Sequence, residues 1–417
     1  MIRANSQDIE SHEQIVIAKT SVGVFHPRLG FGGSEAFAMW TLEALKRDYR
    51  VTLLAGGHIN LAELNAFYGT AIESSECEIV ELRLPWPLAE AEWGAALRGA
   101  FVSRSMRRHL DRFDVLISAY NIADFGRPAI HHLADFSWDE TLRRHYDPAP
   151  PGLRRVLHTN RPLRHGYLAL AKTIARHPTY DLSKAGLILA NSIWSKELMR
   201  GRYGIETEVV YPPVMMKVMG LAPERKSRRF VCLGRIYPEK RIERIVEILK
   251  AVRVRGHDVT LHIVGDTRET AYGQQIEQLC QAERSWIVLE GRQFGQTKAH
   301  LLSESAYGIH ARPGEAFGIA IAEMIVAGCL PFVPAEGGPA EIVDQHPALI
   351  YDTPEEAVEK IDSMLKTPSL EAATRAFIEQ RAQKFSAENF MRDIRRVVGE
   401  SVSSHGHLIR RDTVGAY

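Results

Sequence analysis

Two glutamates eight positions apart are the residues of this sequence best suited to binding a ligand. Glu315 and Glu323 lie on the C-terminal side of a Pro313-Gly314 break. Because this dipeptide cannot continue a strand, we predict a strand that ends near His310, a break, and a helix over residues 316–327. The first glutamate then lies just before a helix and the second lies about two turns inside it.

The spacing of the two carboxylates limits the chemistry that they could do together. If the residues between them were all helical, their backbones would lie roughly 12 Å apart. A glycosidase with paired carboxylates needs about 5 to 10 Å between them, so we expect this pair to hold two ends of one extended ligand instead. The amides of Phe317, Gly318 and Ile319, in the first predicted helical turn, are unpaired donors suited to a phosphate or sugar oxygen.

A structural role for either glutamate is the alternative interpretation. Glu315 could be an acid favoured by the dipole at a helix start, and Glu323 could lie on a solvated helix face. Solvation of Glu323 fits poorly, because its neighbours Ala322 and Met324 belong to a helix that is apolar nearly all round. A carboxylate buried there needs a partner.

A glycine-rich loop near the N-terminus is a second candidate for binding phosphate. It follows a β-rich run and precedes a helical pattern over residues 36–46, with Ser34 as the predicted N-cap. The dinucleotide fingerprint G-x-G-x-x-G fits Gly30 and Gly32 but fails at Glu35, which disfavours a nicotinamide dehydrogenase. An ordinary tight turn is the structural alternative for this loop.

Two cations flank a strand-to-helix turn in the second half of the chain. Arg235 lies at the end of a strand that is predicted to begin at Phe230, and Lys240 lies at the start of the next helix. A cation at a helix N-terminus is unfavourable unless an anion is bound there too, so the turn predicts an anion site. A position on the solvated surface is the alternative for Lys240 taken alone.

The order of strands and helices predicts an α/β fold with two doubly wound, Rossmann-like domains facing across a cleft. A chain of 417 residues is also too long for one core. We assign residues 1–214 to an N-terminal domain and 215–385 to a C-terminal domain, with an interdomain linker at 215–229. In such a fold we expect a last helix, at about 386–400, to pack back on the first domain, and residues 401–417 to form a tail.

Composition narrows the classes of partner and of compartment. The formal net charge of +1 gives no case for binding nucleic acid. Four scattered cysteines without a Cys-x-x-Cys pair favour a reducing cytosol. No apolar run approaches the length of a membrane span, and the polar residues 1–14, which lack the apolar core of a signal peptide, are interpreted as a loose leader.

Several motifs together resemble glycosyltransferase family 4. The pattern Glu, seven residues, Glu, here Glu315 and Glu323, follows a Pro-Gly break and is followed by Gly-Gly-Pro-Ala-Glu at 337–341. A Gly-Gly-x-Glu loop at 32–35 and a Gly-Arg…Glu-Lys motif at 234–240 are similar to the same family, as are Leu-Ala-Asn-Ser-x-Trp and Tyr-Pro-Pro-Val in the first domain. The likeness covers most of the chain and implies the glycosyltransferase B fold.

The resemblance implies transfer of a hexose from a GDP- or UDP-sugar donor to a carbohydrate or lipid-linked acceptor, with retention at the anomeric carbon, as in polysaccharide biosynthesis. Arg235 and Lys240 would hold the donor diphosphate. Glu315 would hold hydroxyls of the sugar, and Glu323 those of the ribose. Charge stabilisation on the departing diphosphate matters more here than a strong base. In the family the leaving phosphate is thought to deprotonate the acceptor itself.

The same resemblance implies further contacts to the donor. The remaining predicted donor-binding residues are Gly32, Gly33, Arg292, Phe317, Gly318 and Ile319. Arg292, with Gln293 as a further candidate, lies in the loop that would contact the nucleobase. By register His132 would face the transferred sugar, with His131 as the fallback. Ala134 stands where the family often has a proline, which leaves both histidines open.

The sequence predicts no metal and no cofactor besides the sugar nucleotide. No Asp-x-Asp occurs in the chain, so we expect activity without a metal ion. A sugar-nucleotide epimerase of the same fold, which would need no acceptor, is an alternative. A non-catalytic sugar-nucleotide-binding module is another, although the intact set of cations and glutamates argues against it. Mannose, glucose, galactose and N-acetylglucosamine donors stay open.

A basic segment in the first domain predicts a surface for an anionic partner. Residues 151–180 contain six Lys or Arg residues and no acid. A second basic group, near the end of a helix predicted over 89–110, comprises Arg104, Arg107, Arg108 and Arg112. One interpretation is a cytoplasmic enzyme attached peripherally to the inner face of an anionic membrane. The other is a solvated hairpin whose arginines pair with acids such as those at 73–81.

Overall fold

The molecule consists of two α/β domains, each built around a parallel sheet. The computed structural model describes residues 19–85, 88, 94–146, 156, 159–175, 182–216, 226–267 and 270–414. One sheet has seven strands and the other has six. The predicted leader at 1–14 lies outside the described residues.

The sheet of the N-terminal domain is parallel throughout and buried at its centre. Its strands are β1 (Ser21–His26), β2 (Arg50–Gly56), β3 (Cys77–Leu82), β4 (Val115–Ser118), β5 (Ala129–Leu133), β6 (Gly186–Ala190) and β7 (Glu208–Val209). Their spatial order is β3-β2-β1-β4-β5-β6-β7, so the winding reverses between β1 and β4. Every residue of β1, β4 and β5 is buried, as strands covered by helices on both faces require.

The described helices of this domain surround the sheet. They are α1 (Gly33–Leu45), α2 (Leu61–Tyr68), α3 (Ala95–Met106), α4 (Glu140–Tyr146), α5 (Arg161–Ala175) and α6 (Ile193–Tyr203). Helix α1 begins at Gly33 with Gly32 as its N-cap, so the predicted cap at Ser34 is wrong. Because the helix starts earlier, Ser34 lies in its first turn, and its hydroxyl donates to Glu35 at 2.8 Å.

The second sheet repeats the same winding in the C-terminal domain. Its strands are β8 (Lys226–Leu233), β9 (Thr260–Val264), β10 (Ile287–Gly291), β11 (Ser305–Ile309), β12 (Leu330–Pro334) and β13 (Ile350–Tyr351), in the order β10-β9-β8-β11-β12-β13. Strand β8 begins at Lys226, so residues 226–229 belong to the sheet and not to the predicted linker. The charge of Arg229 concealed this, yet Arg229 is buried and paired with Glu304 at 2.7 Å.

In the C-terminal domain, the helix that carries Glu323 begins later than the sequence pattern predicts. The helices of this domain are α7 (Ile242–Val254), α8 (Ala271–Ala282), α9 (Gly295–Ser303), α10 (Ile319–Val326), α11 (Gly338–Ile342), α12 (Pro354–Lys366) and α13 (Pro368–Ala382). Helix α10 was predicted to begin at residue 316 but begins at Ile319, because Gly318 has a left-handed φ of 100°. Phe317 and Gly318 therefore precede the helix. Gly328, at φ 80°, follows its C-terminus as predicted.

The last helix, α14 (Ala387–Val414), joins the two domains. Phe390, Ile394 and Val397 are buried in the core of the N-terminal domain together with residues of α1. The helix also continues through residues 401–414, which the sequence pattern predicted to be a tail. No proline interrupts this stretch, so nothing in the backbone chemistry forces the helix to end near residue 400.

Candidate functional site

A buried ion-paired cluster lies where β8 and β11 end, at the reversal point of the second sheet. Lys240 Nζ donates to both oxygens of Glu315 at 2.8 Å, and His310 Nε2 lies 2.7 Å from Glu315 Oε2. The side chains of Lys240 and Glu315 are each 16% exposed. Burial alone would raise the pKa of Glu315, but the charge of Lys240 and the contact with His310 hold it well below its ordinary value. The carboxylate is therefore ionised and able to accept hydroxyl groups.

His310 is a member of this cluster that no sequence motif indicated. Its backbone N–H donates to Phe332 O at 2.9 Å, and its carbonyl accepts the hydroxyl of Tyr351. Burial lowers the pKa of His310 even though the charge of Glu315 opposes the shift. The lowered pKa keeps the imidazole neutral beside the carboxylate. Its position directly after β11 and before Pro313-Gly314 was the available signal.

Glu323 is buried on α10 and paired with a lysine. Its side chain is 5% exposed, and Lys298 Nζ donates to Oε1 at 2.6 Å. The prediction that this carboxylate needs a partner is confirmed. Lys298 lies on α9, and nothing in the sequence near it marks it as that partner. Glu315 thus precedes α10 and Glu323 lies within it, and each glutamate is paired with a different lysine.

Arg235 is exposed at the end of β8 and has no ion-pair partner in the described part of the chain. Its guanidinium lies 5.5 Å from the centre of the Tyr237 ring. Burial raises the pKa of Tyr68, on α2 of the other domain, and the charge of Arg235 opposes that rise. The guanidinium is therefore close enough to the N-terminal domain for its charge to act across the cleft.

The glycine-rich loop of the N-terminal domain approaches α10 closely. A Cβ added at Gly33 would lie 2.9 Å from Ile319 Cδ1, closer than any real side chain packs. The loop is held from behind by Tyr68, whose hydroxyl accepts from Gly32 N and donates to Gly30 O, both at 2.8 Å. No motif in the sequence indicated Tyr68.

Arg292 meets the same loop from the other domain. Its guanidinium lies 3.9 Å from the ring centre of Phe31 and 5.2 Å from that of Phe67. A planar cation stacks well on an aromatic face, so this contact spans the mouth of the cleft. The side-chain amide of Gln293 donates to Glu290 O at 2.7 Å and is thereby engaged within its own loop.

The two histidines of β5 differ in their hydrogen bonds. Both nitrogens of His131 are engaged, by Ala185 O at 2.8 Å and Ala123 N at 3.4 Å. His132 stacks on Phe37 with ring centres 3.8 Å apart, and its Nδ1 donates to a backbone carbonyl at 3.1 Å. His132 Nε2 is buried without a partner among the described residues, and burial lowers the pKa of His132 to about 4. Only His132 of this pair keeps a ring nitrogen free to accept a ligand hydroxyl.

The loop between Glu315 and α10 can meet a ligand only through its backbone. The Phe317 ring is buried, with its centre 5.9 Å from that of Tyr211 and 5.6 Å from that of Phe385. The predicted donors at Phe317 and Gly318 are therefore loop amides, and the amide of Ile319 is at the helix start.

The C-terminal domain is similar to a known protein family, and the chain is similar to several known sequences. Residues 220–385 match the model of the family described as glycosyl transferases group 1. The chain is 22% identical, over 246 residues, to a Dictyostelium discoideum protein named GDP-Man:Man(3)GlcNAc(2)-PP-Dol alpha-1,2-mannosyltransferase, covering 52% of this chain and 49% of that protein. The chain spans about half the length of the curated relatives it matches.

Solved structures share the architecture over nearly the whole chain. Sucrose-phosphate synthase from Thermosynechococcus elongatus has a TM-score of 0.71 at 14% identity and covers 93% of this chain and all of its own. HepE from Anabaena, in complex with UDP and glucose, has a TM-score of 0.63 at 16% identity, covering 91% of this chain and all of its own. The fold is the glycosyltransferase B fold, and the prediction of two doubly wound domains is confirmed.

The separate environments of the two glutamates predict separate effects on binding. Glu323→Gln should weaken the binding of a free nucleoside diphosphate and of the sugar nucleotide alike, by about tenfold, because a charged hydrogen bond is lost. Glu315→Gln should weaken the binding of the sugar nucleotide but barely affect the binding of the free diphosphate. Titration calorimetry with both ligands measures this, with exposed Glu355→Gln as the matched control. The reverse pattern would mean that the two roles are exchanged.

Proposed function

We propose that the chain is a retaining glycosyltransferase of family 4 that moves a hexose from a nucleotide diphosphate sugar to a carbohydrate or lipid-linked acceptor. The observation that carries the proposal is the cluster of Lys240, Glu315 and His310 at the reversal point of the second sheet. It combines an ionised carboxylate with a cation, and the exposed Arg235 follows the same strand as Lys240. The names of the relatives support GDP-mannose as the first donor to test.

The cations of the site suit a leaving group that gains negative charge. An ammonium group has three N–H donors, and Lys240 gives two of them to the oxygens of Glu315. The third can reach a phosphate oxygen while Glu315 accepts hydroxyls of the sugar. Arg235, which has no ion-pair partner among the described residues, can bind the other phosphate. Fixed positive charge of this kind stabilises the departing diphosphate.

His132 fits a role in holding the sugar and not in moving protons. With its pKa lowered to about 4, the imidazole is neutral near pH 7 and a weak base. Its Nε2 can accept one hydroxyl hydrogen from a bound sugar. This supports the account in which the leaving phosphate, and not a side chain of the enzyme, takes the proton of the acceptor.

Metal independence is part of the proposal. Arg235 and Lys240 supply the positive charge that a divalent ion supplies at other phosphate-transfer sites. In the described ranges, no cluster of three or more His, Cys, Asp or Glu side chains is arranged to hold a metal ion.

The test of the proposed function is an acceptor-dependent transfer assay. Purified protein is incubated with GDP-mannose or UDP-glucose, with and without a lipid-linked oligosaccharide, in excess EDTA. We expect nucleoside diphosphate to be released only when the acceptor is present, and the transfer activity to persist in EDTA. The NMR spectrum of the product should show the anomeric configuration of the donor. An isomerised sugar nucleotide formed without acceptor would favour the epimerase. Loss in EDTA that a divalent ion restores would contradict the cationic account.

We further propose that one surface of the N-terminal domain attaches the enzyme to an anionic membrane. Helices α3 and α5 pack against each other through Leu97, Ala100 and Ala171, which brings the two predicted basic groups together. On α5, Leu163 and Leu170 are 51% and 52% exposed. Their spacing of seven places them on one face of the helix.

Some of the predicted basic residues are neutralised by acids. Pairs within 4 Å join Arg164 to Glu140, Arg107 to Asp124, and Arg112 to Glu78. For these three arginines the alternative of local pairing holds. Arg154, Arg155 and Arg176 lie outside the described residues. The remaining basic side chains, all exposed, are Arg104, Arg108, Arg161 and Lys172.

Exposed leucines flanked by cations suit the interface of an anionic bilayer. Each basic residue near such a surface contributes about 1 kcal/mol, so four of them give weak and reversible attachment. At 0.1 M salt, charges are screened over roughly 10 Å, so added salt should weaken the attachment. None of the helices described here is both long and apolar enough to cross a membrane.

Co-sedimentation with vesicles of graded anionic content tests the attachment. We expect binding at low salt that falls as salt rises, and loss of that binding in the double variant Leu163→Ser, Leu170→Ser. Val254→Ser is the matched control, because Val254 is an apolar side chain 85% exposed on the other domain. No binding to anionic vesicles at low salt would remove the membrane proposal and leave the transferase proposal standing.

A further inference from the structure

We propose that Glu341 is a positioning residue that ties helix α6 of the N-terminal domain to the segment carrying Glu315. In doing so it holds the two domains in the arrangement that use of the sugar donor requires. The proposal rests on the proposed function for its activity readout. Its structural readout, hydrogen exchange of the backbone, is independent of any activity.

Glu341 caps a helix that belongs to the other domain. Its Oε2 accepts from Ile193 N at 2.7 Å and from Trp194 N at 3.4 Å, in the first turn of α6. Tyr211 donates its hydroxyl to Oε1 of the same carboxylate. Amides in a first helical turn have no acceptor inside the helix, and a negative charge there also offsets the helix dipole. A carboxylate of one domain thus satisfies groups that the other domain cannot satisfy itself.

The same end of α6 holds the residue next to Glu315. Ser192 Oγ donates to Ala316 O at 2.6 Å, and Ser195 Oγ lies 3.1 Å from the same carbonyl. Both serines are completely buried, so no water competes for that carbonyl. Any movement of the start of α6 therefore acts directly on the backbone that carries the Glu315 carboxylate.

Gly338 closes the connection on the other side. Gly338 N donates to Glu315 O at 2.8 Å, and a Cβ at Gly338 would lie 2.4 Å from Ala316 O. Gly338 begins the short helix α11, to which Glu341 also belongs. The contacts form a closed ring that runs through Glu315, Gly338, Glu341, Ile193, Ser192 and Ala316.

The ring predicts that use of the sugar nucleotide, and not binding of the free diphosphate, depends on Glu341. Rotation of one domain against the other must break the cap on α6 and the serine bonds to Ala316 together. The position of Glu315 is thereby coupled to the interdomain arrangement. Arg235 and Glu323 lie outside the ring, so binding of a free nucleoside diphosphate should change little when the ring opens.

The experiment compares Glu341→Ala and Glu341→Gln with a matched control. Asp344→Asn removes a carboxylate three residues further on, which pairs with Arg381 at 2.9 Å inside its own domain. Hydrogen-exchange mass spectrometry follows peptides covering 191–199 and 312–320. Glu341→Ala should speed exchange in both peptides and lower kcat/KM for the sugar nucleotide, each by about tenfold, with an unchanged Kd for the free diphosphate.

The remaining outcomes are also decisive. Glu341→Gln keeps an oxygen for Ile193 N–H and should lie between wild type and Glu341→Ala, whereas Asp344→Asn should match wild type. Wild-type exchange in both peptides of Glu341→Ala, or the same change in Asp344→Asn, would overturn the proposal. If Glu341→Ala does not fold, Ser195→Ala replaces it and should accelerate the same two peptides. If the wild type transfers no hexose, the proposed function fails while the exchange data still decide this inference.

Discussion

The ion pair between Lys240 and Glu315 is the interaction on which the candidate site depends. Both side chains are mostly buried, and a buried carboxylate is stable in its ionised form only beside a cation. Removing one partner of such a pair typically costs about 3 to 5 kcal/mol, which exceeds the value of any exposed pair on this surface. The ring of His310 lies against the same carboxylate, with Nε2 2.7 Å from Oε2. The pair therefore fixes the charge state of the site as well as its shape.

The doubly wound topology explains why these groups meet. Lys240 follows β8, His310 follows β11, and these strands are neighbours only because the winding reverses between them. Side chains at the carboxyl ends of two such strands point into the same crevice. The N-terminal domain completes that crevice from the opposite side, where Gly33 lies against the start of α10. A single domain would leave Lys240 and Glu315 more open to water, which weakens every charged contact.

The sequence allowed the fold to be predicted, and it marked several residues of the candidate site, because local signals identify them. Pro313-Gly314 breaks a strand, and the spacing of Glu315 and Glu323 is readable in one segment. Lys298 was not predictable in the same way. It lies on a different helix from Glu323, and only the three-dimensional fold brings the two side chains together.

Errors at the level of single residues have local physical causes. Helix α10 begins later than predicted because Gly318, with its left-handed backbone, ends the preceding loop. No hydrophobic pattern reveals that conformation. His131 and His132 are both buried in β5, and they differ in that His132 Nε2 has no partner among the described residues. The charge of Arg229 conceals its buried, paired position in β8, so the sequence pattern predicts a linker residue there.

Turnover of Lys240→Ala tests the central claim most directly. The account predicts that this variant, assayed well below its melting temperature, transfers hexose at least about tenfold more slowly than wild type, since a charged contact to the leaving group is lost. Lys250→Ala, which removes an exposed lysine from α7, should keep wild-type turnover. A folded Lys240→Ala enzyme with near wild-type activity would contradict the assignment of this ion pair to the reaction.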